Sequence, residues 1–323
     1  MTSRERVLAV IDGRIPDRLP FNFWMDRNLM SKMDEELGFD FRINHYGADV
    51  IETFPDIDWF FGNKMHAVSD DITTWQTSSA ISDIEELKNI VMPDPKDPRL
   101  CEYMRYDRKR AQDKALFALL IHPLEVFFTL RLLEQAFLDL YDNPDEVEAF
   151  LYRLSDFQAA YVPMIKQSGC DVLYVAGDIS SSKGPMLSED MLRRFCFEPL
   201  KPIIKAAKSV DLPVFFHTDG RMDGLFDLFV EYGIDGINPL QPHLNDIPRF
   251  KRKYGDKLKL YGGIDNCFAI PDGSAEDVRR HIRELFETMG KDGGLIASSH
   301  DIPHYVPREN IDTMADELKK CVY

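Results

Sequence analysis

From Asp171 onward, short apolar runs alternate with stretches in which apolar positions recur at helical spacing. The runs Asp171–Asp178, Pro213–His217, Asp235–Leu240, Lys257–Gly263 and Gly293–Ser299 read as strands. The stretches Ser188–Val210, Asp223–Tyr232, Asn245–Tyr254, Ala275–Met289 and Arg308–Lys319 read as helices. Five strand-helix units in succession call for a parallel sheet.

The first half is less regular. Thr2 or Ser3 caps a helix through Val10, which Gly13 and Pro16 end before a strand over Arg18–Trp24. Ala48–Phe54 and Leu116–His122 read as two further strands, and Asp58–Ser82 as an inserted lobe or loop. Helices are expected over Ser82–Ile90, Pro98–Asp113, Leu124–Leu140 and, behind the cap Asn143-Pro144-Asp145, Glu146–Gln167. In the last of these Val147, Phe150, Leu151 and Leu154 recur at helical spacing, which marks a core stripe. Three early strands and five late ones make eight, so the pattern predicts an α/β fold, a single (β/α)₈ TIM barrel spanning residues 1–323, with N-terminal helical additions and insertions. No glycine-rich dinucleotide fingerprint follows any strand, which argues against a doubly wound sheet.

Charge narrows the class of partner. The chain has 39 Lys and Arg against 55 Asp and Glu, a formal charge of −16, which argues against nucleic acid and anionic membranes as partners. The N-terminus has no apolar run of signal-peptide length and no stretch approaches a membrane span, so a cytoplasmic protein is expected. The five cysteines, Cys101, Cys170, Cys196, Cys267 and Cys321, form no CxxC pair, which argues against a disulfide framework or zinc ribbon.

In a barrel of this kind chemistry sits at the C-terminal strand ends. Those ends carry Gly177-Asp178, His217-Thr218-Asp219-Gly220, Asn238-Pro239-Leu240-Gln241, Gly262-Gly263-Ile264-Asp265 and Ser298-Ser299-His300-Asp301. His217 and Asp219 are separated by one residue, so both side chains face one side of an extended segment. Barrel closure would bring His300 to the same point. Two imidazoles and a carboxylate suit zinc or another divalent ion with open positions, so His217, Asp219 and His300 are the candidate metal ligands. The same sequence also fits a His217 bonded to backbone and an Asp219 that caps a helix.

Asp178, Asp265 and His300 are the candidate catalytic groups, with proton transfer or the holding of a polar substrate as their chemistry; for the two aspartates, helix capping or loop hydrogen bonding is the alternative. Asn238 and Gln241 do not titrate and read as substrate-orienting groups. Trp24, with Trp59, Trp75, Phe21, Phe23, Phe60 and Phe61, offers aromatic walls, although core packing accounts for such residues equally well. Cys267 is either a soft ligand or a buried, inert thiol. His243 and His281 have no partner that sequence alone supplies, His304 lies near His300 in sequence, and Lys183 is a candidate anion contact.

SRERVLAVIDGRIPDRLP, GDISSSKGPMLSEDMLRRF, PVFFHTDGRMDGLFDLFVEYGIDGINPLQP, GGID and GGLIASSHDIPHYVPRENI, in that order, resemble the uroporphyrinogen decarboxylase superfamily, which includes corrinoid- and zinc-dependent methyltransferases. The resemblance implies a (β/α)₈ barrel with its cleft at the C-terminal face. Porphyrinogen decarboxylases of the family carry an arginine-rich N-terminal segment for substrate carboxylates, whereas FNFWMDRNLMSKM keeps only Arg27. Thiol-specific zinc methyltransferases of the family use a His-x-Cys pair and a later Cys; the matching positions here are His217, Asp219 and His300. A His₂-carboxylate set makes a stronger Lewis acid than one with two thiolates, suited to an oxygen or nitrogen leaving group. The expected activity is therefore methyl transfer from a small donor, such as a methoxylated aromatic, ether or amine, to a corrinoid held by a partner protein. A metal-independent carboxy-lyase acting on a porphyrinogen or smaller acid is the alternative, and a non-catalytic corrinoid-binding barrel a more distant one.

Overall fold

The computed structural model describes residues 1–55, 66–69 and 74–323, with side chains described outside 56–77. Among the described residues, seven strands form one curled parallel sheet in chain order: β1 (Val50–Thr53), β2 (Ala115–Ile121), β3 (Val172–Ala176), β4 (Val214–His217), β5 (Gly236–Asn238), β6 (Lys259–Ile264) and β7 (Leu295–Ser299). Each strand pairs with the next in sequence, as strand-helix-strand units require.

The expected first strand, Arg18–Trp24, is not a regular strand. It forms single bridges instead, Phe21 to Ala297 and Met25 to Ile302. The Phe21 carbonyl also accepts from the Asp49 amide at 2.8 Å, so this segment contacts both ends of the seven-stranded order. Pro20 removes a backbone donor from this stretch and interrupts the ladder.

Alternation along the strands divides the core. Val50, Phe117, Tyr174, Phe215, Tyr261 and Ile296 face inward and pack together, with Phe117 5.2 Å from Tyr261 and 5.7 Å from Phe215 between ring centroids. Helix Ser3–Ile11, held by a capping box between Thr2 and Glu5, presses Val7 and Val10 against this inner core. The alternate residues, such as Phe216 against Phe197 and Phe229, face the surrounding helices.

Several helix boundaries differ from expectation. The stretch Leu124–Leu140 is two helices, Pro123–Leu130 and Leu133–Asp142, because Arg131 is extended. Arg131 is buried there, bound to Asp139 at 2.7 Å and to the Ser82 carbonyl at 2.8 Å, contacts that a helical backbone would forfeit. Ser188–Val210 contains a π-helical turn at Leu192–Phe197, and another follows Ala275–Leu285 at Phe286–Gly290. Ile84–Asn89 is a 3₁₀ turn, Pro98–Asp113 is a 3₁₀ turn at Pro98–Cys101 that runs into an α-helix over Glu102–Arg110, and Asp223–Tyr232 shortens to Phe226–Glu231. Within the predicted inserted lobe, His66–Ser69 and Thr74–Ser78 form an antiparallel pair. Trp59, Phe60 and Phe61 lie outside the described residues, as does the Trp75 side chain. Among the described residues no helix is long and apolar enough to cross a membrane.

Candidate functional site

β4 ends at His217, and its inward register with Phe215 carries the imidazole to the mouth of the inner core. Two residues on, Asp219 is set by Gly220, whose φ of +92° and close approach to the Ser181 backbone leave no room for a side chain. β7 delivers His300 from the opposite side. His300 Nε2 stands 3.1 Å from Asp219 Oδ2, and the two imidazole rings face each other with centroids 5.8 Å apart. One ligand atom from each of His217, Asp219 and His300 lies within 4.8 Å of the others. The three predicted metal ligands therefore converge.

The details fit a cation. Asn238 Oδ1 accepts from His217 Nδ1 at 2.6 Å and from the Tyr174 hydroxyl at 2.5 Å, which leaves His217 Nε2 for an ion. Asn238 is itself anchored by its amide, which donates to the Tyr261 carbonyl at 2.5 Å. Asp219 Oδ1 is buried and has no hydrogen-bond partner. Such an oxygen costs on the order of 1–3 kcal/mol unless something positive satisfies it. Two imidazoles and a carboxylate suit zinc, or another divalent ion with similar preferences.

The cluster opens into a cavity of about 130 Å³ lined by Trp24, Leu119, Tyr174, Ala176, His217, Asn238, His300 and Asp301. None of these described lining residues is Arg or Lys. The Trp24 indole donates to Glu52 at 3.1 Å and carries the Arg42 guanidinium over its ring at 4.8 Å. Below it, Glu52 is wholly buried and bound by Asn22 and Tyr261, and burial raises its carboxyl above the usual range. Burial likewise raises the Tyr174 phenol, so it stays protonated and able to donate.

The other predicted residues separate. Asp178 lies beside the cluster, accepting from the Asp219 amide at 3.0 Å and standing 4.0 Å from His217 Nε2. Gln241 accepts from the Gly220 amide at 2.9 Å and so supports the Asp219 loop, away from the cavity lining. Asp265 accepts from the amides of Cys267 at 2.9 Å, Phe268 at 3.2 Å and Ala269 at 3.3 Å in a turn, the loop hydrogen bonding weighed as its alternative. It meets His243 and Cys267 in a second group rather than joining the first. His281 accepts from the Asp265 amide at 2.9 Å, and burial lowers its basicity. His304 lies 3.2 Å from Asp26, and Lys183 is exposed. Phe21 and Phe23 are fully buried core, which leaves Trp24 as the cavity wall among the described members of that aromatic set.

Sequence reading missed Glu125, which follows the end of β2. Its Oε2 accepts from the Asp178 amide at 3.3 Å, and burial, then the Asp178 carboxylate, push its carboxyl up to about 7. The rule applied to the five later strand ends would have found it at His122-Pro123-Leu124-Glu125. Tyr174 was legible too, as the polar tip in an inward register with Ala176.

The family model described as uroporphyrinogen decarboxylase (URO-D) matches residues 43–321. A methylated-thiol–coenzyme M methyltransferase of Methanosarcina mazei is 23% identical over 52% of this chain and 43% of its own length. A uroporphyrinogen decarboxylase of Coxiella burnetii is 21% identical over 56% of this chain and 49% of its own. This chain thus spans about half the length of these curated relatives. Among solved structures, a methyltransferase from Methanosarcina mazei superposes with a TM-score of 0.77 at 16% identity, covering 99% of both chains. A B12-independent methionine synthase from Shewanella sp. W3-18-1 gives 0.56 at 12% identity over 94% of each. The match to the family model runs through every strand of the sheet, and the chain belongs to the uroporphyrinogen decarboxylase family.

Proposed function

We propose that this chain is a methyltransferase that moves a methyl group from a small donor to the cobalt of a corrinoid carried by a partner protein. The relatives' names divide between methyl transfer and decarboxylation, and the cavity supports the first. The observation that carries the reading is the His217, Asp219 and His300 cluster with its buried, unsatisfied carboxylate oxygen, opening on a cavity whose described lining has no Arg or Lys. A porphyrinogen's many carboxylates need several cations, which this lining does not offer.

A divalent ion such as zinc, held by His217, Asp219 and His300, would supply Lewis acidity toward the oxygen or nitrogen that the methyl group leaves. The donor's carbon–oxygen or carbon–nitrogen bond breaks, a carbon–cobalt bond forms with the electron pair of reduced cobalt, and the departing heteroatom takes a proton. Trp24 and Tyr174 present flat walls to a small, partly aromatic donor. Asp178 is the carboxylate placed to handle that proton, with Glu125 behind it. Asn238 holds His217 in one tautomer. The Phe21 bridge to β7, with the Phe21 carbonyl bound by the Asp49 amide beside β1, supports closure of the sheet into a (β/α)₈ barrel, with the cavity at its C-terminal mouth.

The test is methylation of reduced cobalamin, followed by its visible spectrum, with methoxylated aromatics, ethers and methylamines as donors and metal content measured alongside. Loss of about one zinc equivalent per chain in His300→Ala, together with turnover, is expected. Undiminished turnover after exhaustive chelation, or a metal content in His217→Ala equal to that of wild type, would overturn the reading.

A further inference from the structure

His243 and Cys267 follow the ends of β5 and β6, and Asp265 sits at the turn between β6 and Cys267. Cys267 Sγ lies 3.6 Å from His243 Nε2, and His243 Nδ1 lies 3.9 Å from Asp265 Oδ1. One ligand atom from each of the three falls within 4.8 Å of the other two. A sulfur and a nitrogen bound to one tetrahedral zinc stand about 3.5 Å apart, given ordinary bond lengths. The thiol and the imidazole already have that spacing.

The turn that presents the sulfur is held firmly. Three backbone amides bind the Asp265 carboxylate, and Asn266 between the two donates to the Asp301 carbonyl at 2.8 Å. Among the described residues the ion-pair partner of Asp265 is His243, not Lys or Arg. Burial and the carboxylates of Asp265 and Asp219 all raise the Cys267 thiol, so negative charge there lacks a positive counterpart. His243 is exposed beside the exposed Phe268 ring, which gives solvent access to the group.

We propose that His243, Asp265 and Cys267 form a second metal site, which takes a thiophilic divalent ion of the zinc class and is distinct from the His217, Asp219 and His300 cluster. Binding forms a metal–sulfur bond and releases the thiol proton to solvent. A sulfur and an imidazole donor select against magnesium and calcium. The other four cysteines are buried, and no group of potential metal ligands among the described residues includes them.

That last point makes the site separately visible. Metal-free protein titrated with Co²⁺ should develop a near-ultraviolet sulfur-to-cobalt charge-transfer band with the amplitude of one thiolate-bound Co²⁺ per chain, complete by two equivalents in all, because the first cluster also takes Co²⁺ but contains no sulfur. The band should persist in His217→Ala and His300→Ala, vanish in Cys267→Ser and Cys267→Ala, and require at least tenfold more Co²⁺ in His243→Ala. Zinc should abolish it. Absence of the band in wild type at Co²⁺ concentrations that saturate the visible absorption, or its survival in both Cys267 variants, would overturn the second site. Metal loss in His217→Ala reads the first site independently, so failure of one assignment is distinguishable from failure of the other.

Discussion

At the N-terminal ends of the strands, Asp49 is met by Arg6 at 2.7 Å and Arg18 at 2.8 Å, and Asp171 by Arg4 at 2.8 Å and Arg108 at 2.9 Å. At the C-terminal ends, Asp178, Asp219 and Asp265 have imidazoles as their ion-pair partners among the described residues, and one oxygen of Asp219 has no hydrogen-bond partner. The buried carboxylates of one end are thus fully compensated, whereas the carboxylates of the other, the exposed Asp178 and the partly buried Asp219 and Asp265, are left open. The paired end is built for stability; the open end keeps ligand capacity at a cost in stability. The contrast also explains the arginines of the opening segment. Arg4, Arg6 and Arg18 neutralise Asp171, Asp17 and Asp49, so they are committed to the fold rather than to a substrate.

Substitutions at the two ends should therefore fail in different ways. The largest effect is expected from Asp219→Asn, with methyl transfer and metal affinity of the His217 and His300 cluster lost by more than ~100-fold while denaturant unfolding shows stability unchanged or raised. A destabilised Asp219→Asn with the metal content of wild type would erase the contrast. Asp49→Ala should do the reverse, costing up to about 3–5 kcal/mol of unfolding free energy by removing the buried carboxylate shared by Arg6, which keeps Asp17, and the partly buried Arg18. Metal content of its folded fraction should match wild type.

A more moderate effect is expected where the open end is braced. Asn238→Ala removes the acceptor that fixes His217 Nδ1, and should weaken zinc binding about 10–100-fold in competition with a chelator. The smallest effect concerns Glu125. Its folded carboxyl, raised to about 7, holds a proton that the unfolded chain has released above about 4.5. Unfolding free energy of the metal-free protein should therefore fall as pH rises from about 4.5 through about 7. Glu125→Gln should flatten that slope, and an unchanged slope would remove Glu125 as its source.

Much of this architecture was legible along the chain. The five late strand-helix units, the strand-end carboxylates and imidazoles, and the His217, Asp219 and His300 set follow from periodicity and from the rule that chemistry sits at the C-terminal strand ends. Regular structure reads well because its causes lie within a few residues: alternation at Phe215 and His217, a capping box at Thr2 and Glu5, glycine at Gly220. The two-helix break at Arg131 was not legible, because its cause is a partner 49 residues away in sequence, the Ser82 carbonyl.

Sequence alone determined which polar side chains reach the C-terminal rim, since strand period and strand order assign them there. Only the tertiary structure decided how they group. Asp265 joins His243 and Cys267 instead of His217, Glu125 comes up behind Asp178, and Gln241 serves a loop amide. The physical reason is that grouping depends on loop trajectories of a few ångströms, set by long-range contacts such as Gly220 against Ser181, to which a local pattern of apolar and polar residues is blind.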